Sequence, residues 1–356
     1  MAAETDLASR HLLGQPFWKS KKMVNEPILF VQEEGKPVAS GKVLFTPTAK
    51  PKLTHPDQVM TYIEGKDYIW KPGSDTIELT ISSRIPFKTA AQMTPPPGSP
   101  NTLGGGLWSE GHFFHDLQVQ ASYEHDGIWN LPAAPFENRL SRSLGKLRSK
   151  QSLKLVALGD SITEGFNASG FRNSKAPPYQ PPYAQLVADT LQERFGAPIT
   201  YVNLGRAGTK AEWGLNQVEK VAAEKPDLVI LAFGMNHSEP ASAFDALMRK
   251  LLGAVTAACP QADVVLVSSM TSNPRGRPAT HFTGYRDVLR EMQTPAVALA
   301  DLTSPWLELL KSKPFSDLSG NNVNHPNDFG HALYGHVICE LFPATNGTDS
   351  AAPPKQ

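Results

Sequence analysis

The chain has 356 residues, and 34 Lys plus Arg balance 34 Asp plus Glu, so its formal net charge is zero. That balance gives no electrostatic reason for a nucleic-acid partner, and no apolar run approaches the length of a membrane span. Two cysteines, Cys259 and Cys339, make neither a disulfide framework nor a metal site and read as small apolar core residues.

Residues 1–20 show no periodicity and read as a loose N-terminal arm. They lack the apolar core of a signal peptide. The expectation is a secreted or periplasmic protein whose export signal has been removed. From 21 to 133 the texture is β. Short apolar runs at 28–31 and 42–45, and a tight connection between 61–63 and 67–70, read as strands. The stretches 75–81 and 117–123 alternate polar and apolar residues, the pattern of half-buried strands. Residues 95–106, rich in Pro and Gly, form a long breaker-rich loop. The sum is a smaller β-sandwich domain. Residues 134–152 carry Arg139, Arg142, Lys146, Arg148 and Lys150 and read as a polar linker.

After Leu153 the texture changes. Apolar strands at 156–159, 201–205, 228–234, 264–268 and 297–302 alternate with helical patterns at 183–195, 212–224, 241–258 and 285–292, and a last helix covers 326–341. This alternation predicts a domain over 153–345 with a five-stranded parallel sheet and helices on both faces. A tail follows at 346–356.

Four motifs fall at the ends of these strands or just before helices. They are Gly159-Asp160-Ser161-Ile162-Thr163, Asn203-Leu204-Gly205-Arg206-Ala207-Gly208-Thr209, Gly234-Met235-Asn236-His237, and Asn322-Val323-Asn324-His325-Pro326-Asn327. Each is short enough to have a bland reading. The first is equally a turn with a capping serine, and Asn236 equally a cap for the helix near Ala241. In the second, Gly205 competes with Gly208. In this order the four resemble the blocks of the SGNH, or GDSL-type, serine hydrolases. The resemblance covers about 200 residues, 153–342. It implies a flavodoxin-like three-layer α/β/α fold and ester hydrolysis; no His, Cys, Asp or Glu cluster has metal-ligand spacing, so no metal or cofactor is expected.

Ester hydrolysis needs a nucleophile, a base and donors for a developing oxyanion. Ser161 supplies the hydroxyl, and a neutral His325 can take its proton. The Ser161 and Gly208 N–H groups and the Asn236 amide are the oxyanion donors. The matching family positions carry these roles. Two positions depart from the family. His237 stands where the third block usually has Asp, and Asn322 where the fourth has Asp three residues before His325. Some carbohydrate esterases of the superfamily work as a Ser–His dyad, so His325 is expected to be oriented by a neutral oxygen, that of Asn322 or a backbone carbonyl. Asp317 and Asp328 lie near in sequence without the family spacing.

The layout resembles SGNH carbohydrate esterases with a jelly-roll-like domain in front. It implies removal of O-acetyl groups from a polysaccharide or oligosaccharide. Trp70, Trp108 and Trp129 are candidate sugar-stacking faces, or core. The alternatives are a short-chain esterase, lysophospholipase or thioesterase on the same site, and a carbohydrate-binding protein with a decayed site. His331 and His336 read as surface or packing residues.

Overall fold

The computed structural model describes residues 12–129 and 139–344. Most of the expected arm, the first part of the expected linker and the whole expected tail lie outside the described residues.

The front domain contains strands β1 (Lys22–Leu29), β2 (Val31–Gln32), β3 (Ser40–Lys42), β4 (Lys52–Thr54), β5 (Tyr68–Trp70), β6 (Thr76–Leu79), β7 (Lys88–Thr89), β8 (Thr102–Leu103), β9 (Gly106–Leu107) and β10 (Gln118–Glu124). They make a sheet of order β1-β10-β4 and a second of order β5-β6-β3-β2-β7, antiparallel except for the β2–β7 pair. Residues 61–63 form no strand, only a bridge from Thr61 to Thr54. The breaker-rich loop contains a small hairpin, β8–β9, turned by Gly104 and Gly105 at positive φ.

The second domain is an α/β/α layer fold. Its sheet holds β11 (Leu153–Gly159), β12 (Ile199–Asn203), β13 (Leu228–Ala232), β14 (Asp263–Val267) and β15 (Val297–Ala300), all parallel, in the order β12-β11-β13-β14-β15. The apolar runs are continuous because the central strands are buried on both faces. Leu155 and Ala157 of β11 enter one apolar cluster, and Val156 and Leu158 enter the other. On the second face, helix Ala241–Ala258 buries Phe244, Met248, Leu251 and Val255, a stripe at helical spacing. On the first lie helices Tyr183–Phe195 and Asp328–Cys339, through Tyr183, Leu191, Leu333 and Tyr334. The pattern at 212–224 is two helices, Ala211–Leu215 and Val218–Ala223. Gly214 and Asn216 are weak helix formers at the break.

The two domains are not independent. The first-face cluster runs on into the front domain through Ile28, Val119 and Ala121. The described part of the expected linker is a helix, Ser141–Arg148, that buries Leu144 and Leu147. Lys313 is buried at the junction, where its Nζ meets Glu26 Oε1 at 2.9 Å and Asp317 Oδ2 at 2.8 Å. It also donates to Pro27 O at 3.0 Å. Asp317 Oδ1 accepts from the Leu29 N–H of β1 at 3.0 Å. Among the described residues no helix is long and apolar enough to cross a membrane.

Candidate active site

β11 ends at Gly159, and a helix of four residues, Ser161–Glu164, begins at once. Asp160 caps it, with Oδ1 accepting from the Ile162 N–H at 3.0 Å. Burial of the Asp160 carboxyl pushes its pKa up to about 6, against the Ile162 N–H and His325, which favour the charged form. Ser161 therefore stands at the carboxyl end of the first strand of the sheet, next to the point where the strand order reverses. Open α/β sheets gather their ligands there.

His325 Nε2 lies 2.9 Å from Ser161 Oγ, and both residues are buried. The Phe166 ring packs against the imidazole, with centroids 5.3 Å apart. On the other side of the ring, Asn167 Oδ1 is 2.9 Å from Nδ1. The Asn167 amide is fixed in that sense. Its Nδ2 donates to Gly111 O at 2.9 Å and Gly320 O at 3.1 Å, which leaves only the oxygen to face His325. The Nδ1–H then donates to Asn167, and Nε2 is free to accept from the serine hydroxyl. That tautomer is the one a general base requires.

Asn322 does not fill this place. It sits at φ +60°, and its Nδ2 donates to Leu107 O of the front domain at 2.8 Å. Its N–H donates to Ser319 Oγ at 2.9 Å. The left-handed turn directs its side chain away from His325, which corrects the expectation drawn from sequence spacing. Asp317 belongs to the Lys313 cluster, and Asp328 Oδ1 accepts from the Ser169 N–H at 2.7 Å. Asn321, one position earlier, does reach His325. Its Oδ1 accepts from the backbone N–H groups of Val323, Asn324 and His325, so its Nδ2 faces Nδ1 at 3.0 Å and Glu110 Oε1 at 2.9 Å. Glu110 comes from the front domain, and its Oε1 is 3.5 Å from His325 Nδ1.

The second and third motifs meet beside this pair. Asn236 Nδ2 donates to Thr209 O at 3.0 Å, leaving one amide hydrogen for another acceptor. Asn236 caps no helix, since Ala241–Ala258 starts at Pro240 without a side-chain cap. Gly208 occupies a turn at φ +74°, a conformation that favours glycine. The two glycines of the motif divide the work. A Cβ on Gly205 would lie 2.5 Å from Glu164 N, so Gly205 is needed for the loop to close on the Ser161 helix, while a Cβ on Gly208 would meet open space. The Ala207 N–H also donates to Glu164 Oε2 at 2.6 Å.

His237, in the place of the family's Asp, is buried and structural. Its Nε2 accepts from the Ala211 N–H at 3.0 Å and its Nδ1 faces Glu239 Oε2 at 3.0 Å. Burial lowers its pKa despite Glu239. His331 is also buried, which drives its pKa down to about 4, and its Nε2–H donates to Phe166 O at 3.0 Å. His336 packs edge-on against Trp18. Trp70 is a core residue and Trp129 packs edge-on against Phe17, so of the three candidate tryptophans only Trp108 lies on the loop that carries Glu110. Among the described residues no group of three His, Cys, Asp or Glu could hold a metal ion.

Asn167, Asn321 and Glu110 had no signal in the sequence. Asn167 is 158 positions from His325, and a polar residue in a loop says nothing of so distant a contact.

Residues 157–333 match the model of the GDSL-like lipase/acylhydrolase family. No curated protein matches the chain. Among solved structures, it is similar to a two-domain esterase active on acetylated mannans, co-crystallised with mannopentaose, at 24% identity over 63% of this chain and 61% of that one, with a TM-score of 0.48. It is also similar to a variant of an acetyl xylan esterase from Geobacillus stearothermophilus (21% identity, 55% and 96% covered, TM-score 0.42). A third is a family 3 carbohydrate esterase from Clostridium thermocellum (14%, 53% and 94%, TM-score 0.40). The chain spans about three fifths of the length of the two-domain esterase.

Proposed function

Since residues 157–333 belong to the GDSL-like lipase/acylhydrolase family, we propose that the chain is a serine carboxylester hydrolase that removes O-acetyl groups from a polysaccharide or oligosaccharide. The observation that carries this reading is the 2.9 Å contact of Ser161 Oγ with His325 Nε2 at the carboxyl end of β11. His325 takes the hydroxyl proton as Ser161 Oγ attacks the acetyl carbonyl. The Ser161 and Gly208 N–H groups and the remaining hydrogen of Asn236 Nδ2 hold the oxyanion. The imidazolium then gives its proton to the departing sugar oxygen. Water, activated by the same imidazole, releases acetate and restores Ser161. Asn167 is the neutral residue that keeps His325 in the required tautomer.

The polar rim supports a carbohydrate substrate. Glu110, Asn173, Asn321 and Asn324 are linked in one hydrogen-bonded group beside His325. A sugar is held by such hydrogen-bonding groups, whereas a long acyl chain needs an apolar channel. Acetate release from an acetylated polysaccharide, measured against hydrolysis of p-nitrophenyl acetate and p-nitrophenyl decanoate, tests the reading. The expected result is rapid release from the polymer and the acetyl ester, with the decanoyl ester at least about tenfold slower in kcat/KM, roughly the discrimination one pocket gives by size. Preference for the decanoyl ester with an untouched polymer would assign the site to lipid or thioester substrates.

A further inference from the structure

A stretch of the front domain crosses the site and is fastened to it at several points. Leu107 O accepts from Asn322 Nδ2, and Gly111 O accepts from Asn167 Nδ2. Between them, Glu110 is held by two amides. Its Oε1 accepts from Asn321 Nδ2 at 2.9 Å and its Oε2 from Asn173 Nδ2 at 3.4 Å. The orientation of Asn321 is itself fixed by three backbone N–H groups. The carboxylate is thus aimed at His325 Nδ1, 3.5 Å away.

We propose that Glu110, delivered by the front β domain, is a positioning residue for catalysis that stabilises the His325 imidazolium when it carries the proton of Ser161. This rests on the serine-hydrolase reading above. In the resting site Asn167 Oδ1 accepts the Nδ1–H and sets the tautomer. Once the ring is charged, the α/β-domain groups at Nδ1 are the amides of Asn167 and Asn321, with Asp160 as the nearby carboxyl of that domain. A carboxylate at this distance supplies the opposite charge, the task that a buried Asp performs in a Ser-His-Asp triad. Partial burial works to raise the Glu110 pKa, but His325 and the Asn321 amide outweigh it and hold the carboxyl below its ordinary value, so it is ionised at neutral pH. The other titratable groups around His325 are Asp160 from the turn after β11, whose carboxyl is raised to about 6 and so is still mostly charged at neutral pH, and His331 from helix Asp328–Cys339, which burial keeps neutral. Glu110 is the partner supplied from outside the α/β domain. Its side chain is 38% exposed, so its effect is smaller than that of a buried triad acid.

The test is Glu110→Gln in the full chain, which keeps the shape and an acceptor for Asn321 but removes the charge. On p-nitrophenyl acetate, kcat should fall by about 10-fold to 10²-fold, short of the roughly 10⁴ lost when a triad Asp becomes Asn. KM should stay within about twofold, since the interaction forms only in the transition state. The acid limb of kcat/KM should move to lower pH, because an anion that favours protonated His325 has been removed. Unchanged kcat and an unmoved acid limb would overturn the assignment. So would a lower kcat with the acid limb in place, or a loss of the folded circular-dichroism signal, either of which would make Glu110 structural. An inert parent chain that takes no organophosphate on Ser161 would instead overturn the hydrolase reading itself.

Discussion

The Asn167 side chain has one direction left to its oxygen once its nitrogen has donated to Gly111 O and Gly320 O. An amide that cannot rotate can do part of what a carboxylate does, which is to hold the proton on Nδ1 and leave Nε2 as the base. Asn167→Ala should therefore lower kcat by about 10-fold to 10²-fold, below the roughly 10⁴ of a lost triad acid. Asn322→Gly, which accepts the φ of +60° and removes only the side chain, should stay within about threefold of the parent, the range of a residue outside the reacting group. Steady-state kinetics on p-nitrophenyl acetate checks both, and a larger loss for Asn322→Gly than for Asn167→Ala would restore Asn322 as the orienting residue. Ser161, His325, Gly208 and Asn236 were legible as candidates because each belongs to a short motif that follows a strand or, for His325, precedes a helix. Asn167 and Glu110 were not, because their positions depend on packing between segments far apart in the chain. The spacing that pointed to Asn322 missed because Asn322 itself sits in the left-handed region, with its side chain turned to Leu107 O.

At the scale of elements, the loop that bears His325 is held from both domains: in its own, the Asn273 N–H donates to Val323 O at 2.7 Å and Asn167 Nδ2 to Gly320 O at 3.1 Å. Gln118 of β10 donates to Ser316 O and Ser319 O and accepts from Asn327 Nδ2. This explains why β10, whose alternating sequence reads as half-buried, is buried along nearly its whole length. Gln118 faces a polar loop that the α/β domain presents. Lys313 secures the same loop through Glu26 and Asp317. Removing one partner of a buried ion cluster leaves uncompensated charge, so Lys313→Ala should cost about 3–5 kcal/mol. Guanidinium unfolding monitored by circular dichroism measures it, and a cost under about 1 kcal/mol, the value of an exposed pair, would show that the cluster does not secure the junction. The strands of the α/β sheet and the longer helices were legible from their apolar runs and period, whereas in the front domain 43–45 and 61–63 form no strand. The break within 211–223 and the destination of the Pro- and Gly-rich loop were not legible, since a breaker signal marks where regular structure stops and not what the loop touches.

For the whole molecule, the change of texture at Leu153 reads as a boundary between two domains, yet one apolar cluster runs through both. The α/β domain carries the serine, the histidine and the expected oxyanion donors, while the front domain carries the loop that reaches Nδ1. Sequence periodicity is local and reveals each layer. It does not reveal that two layers share a core, because that depends on which outer faces meet. The central claim, that this assembly makes Ser161 a nucleophile, is tested most directly by mass spectrometry after treatment of the full chain with diethyl p-nitrophenyl phosphate. One diethylphosphoryl adduct on the peptide containing Ser161 is the expected result. It should be absent in Ser161→Ala, whose esterase rate should fall by up to about 10⁶-fold. An unmodified Ser161, or full esterase activity in Ser161→Ala, would contradict the account.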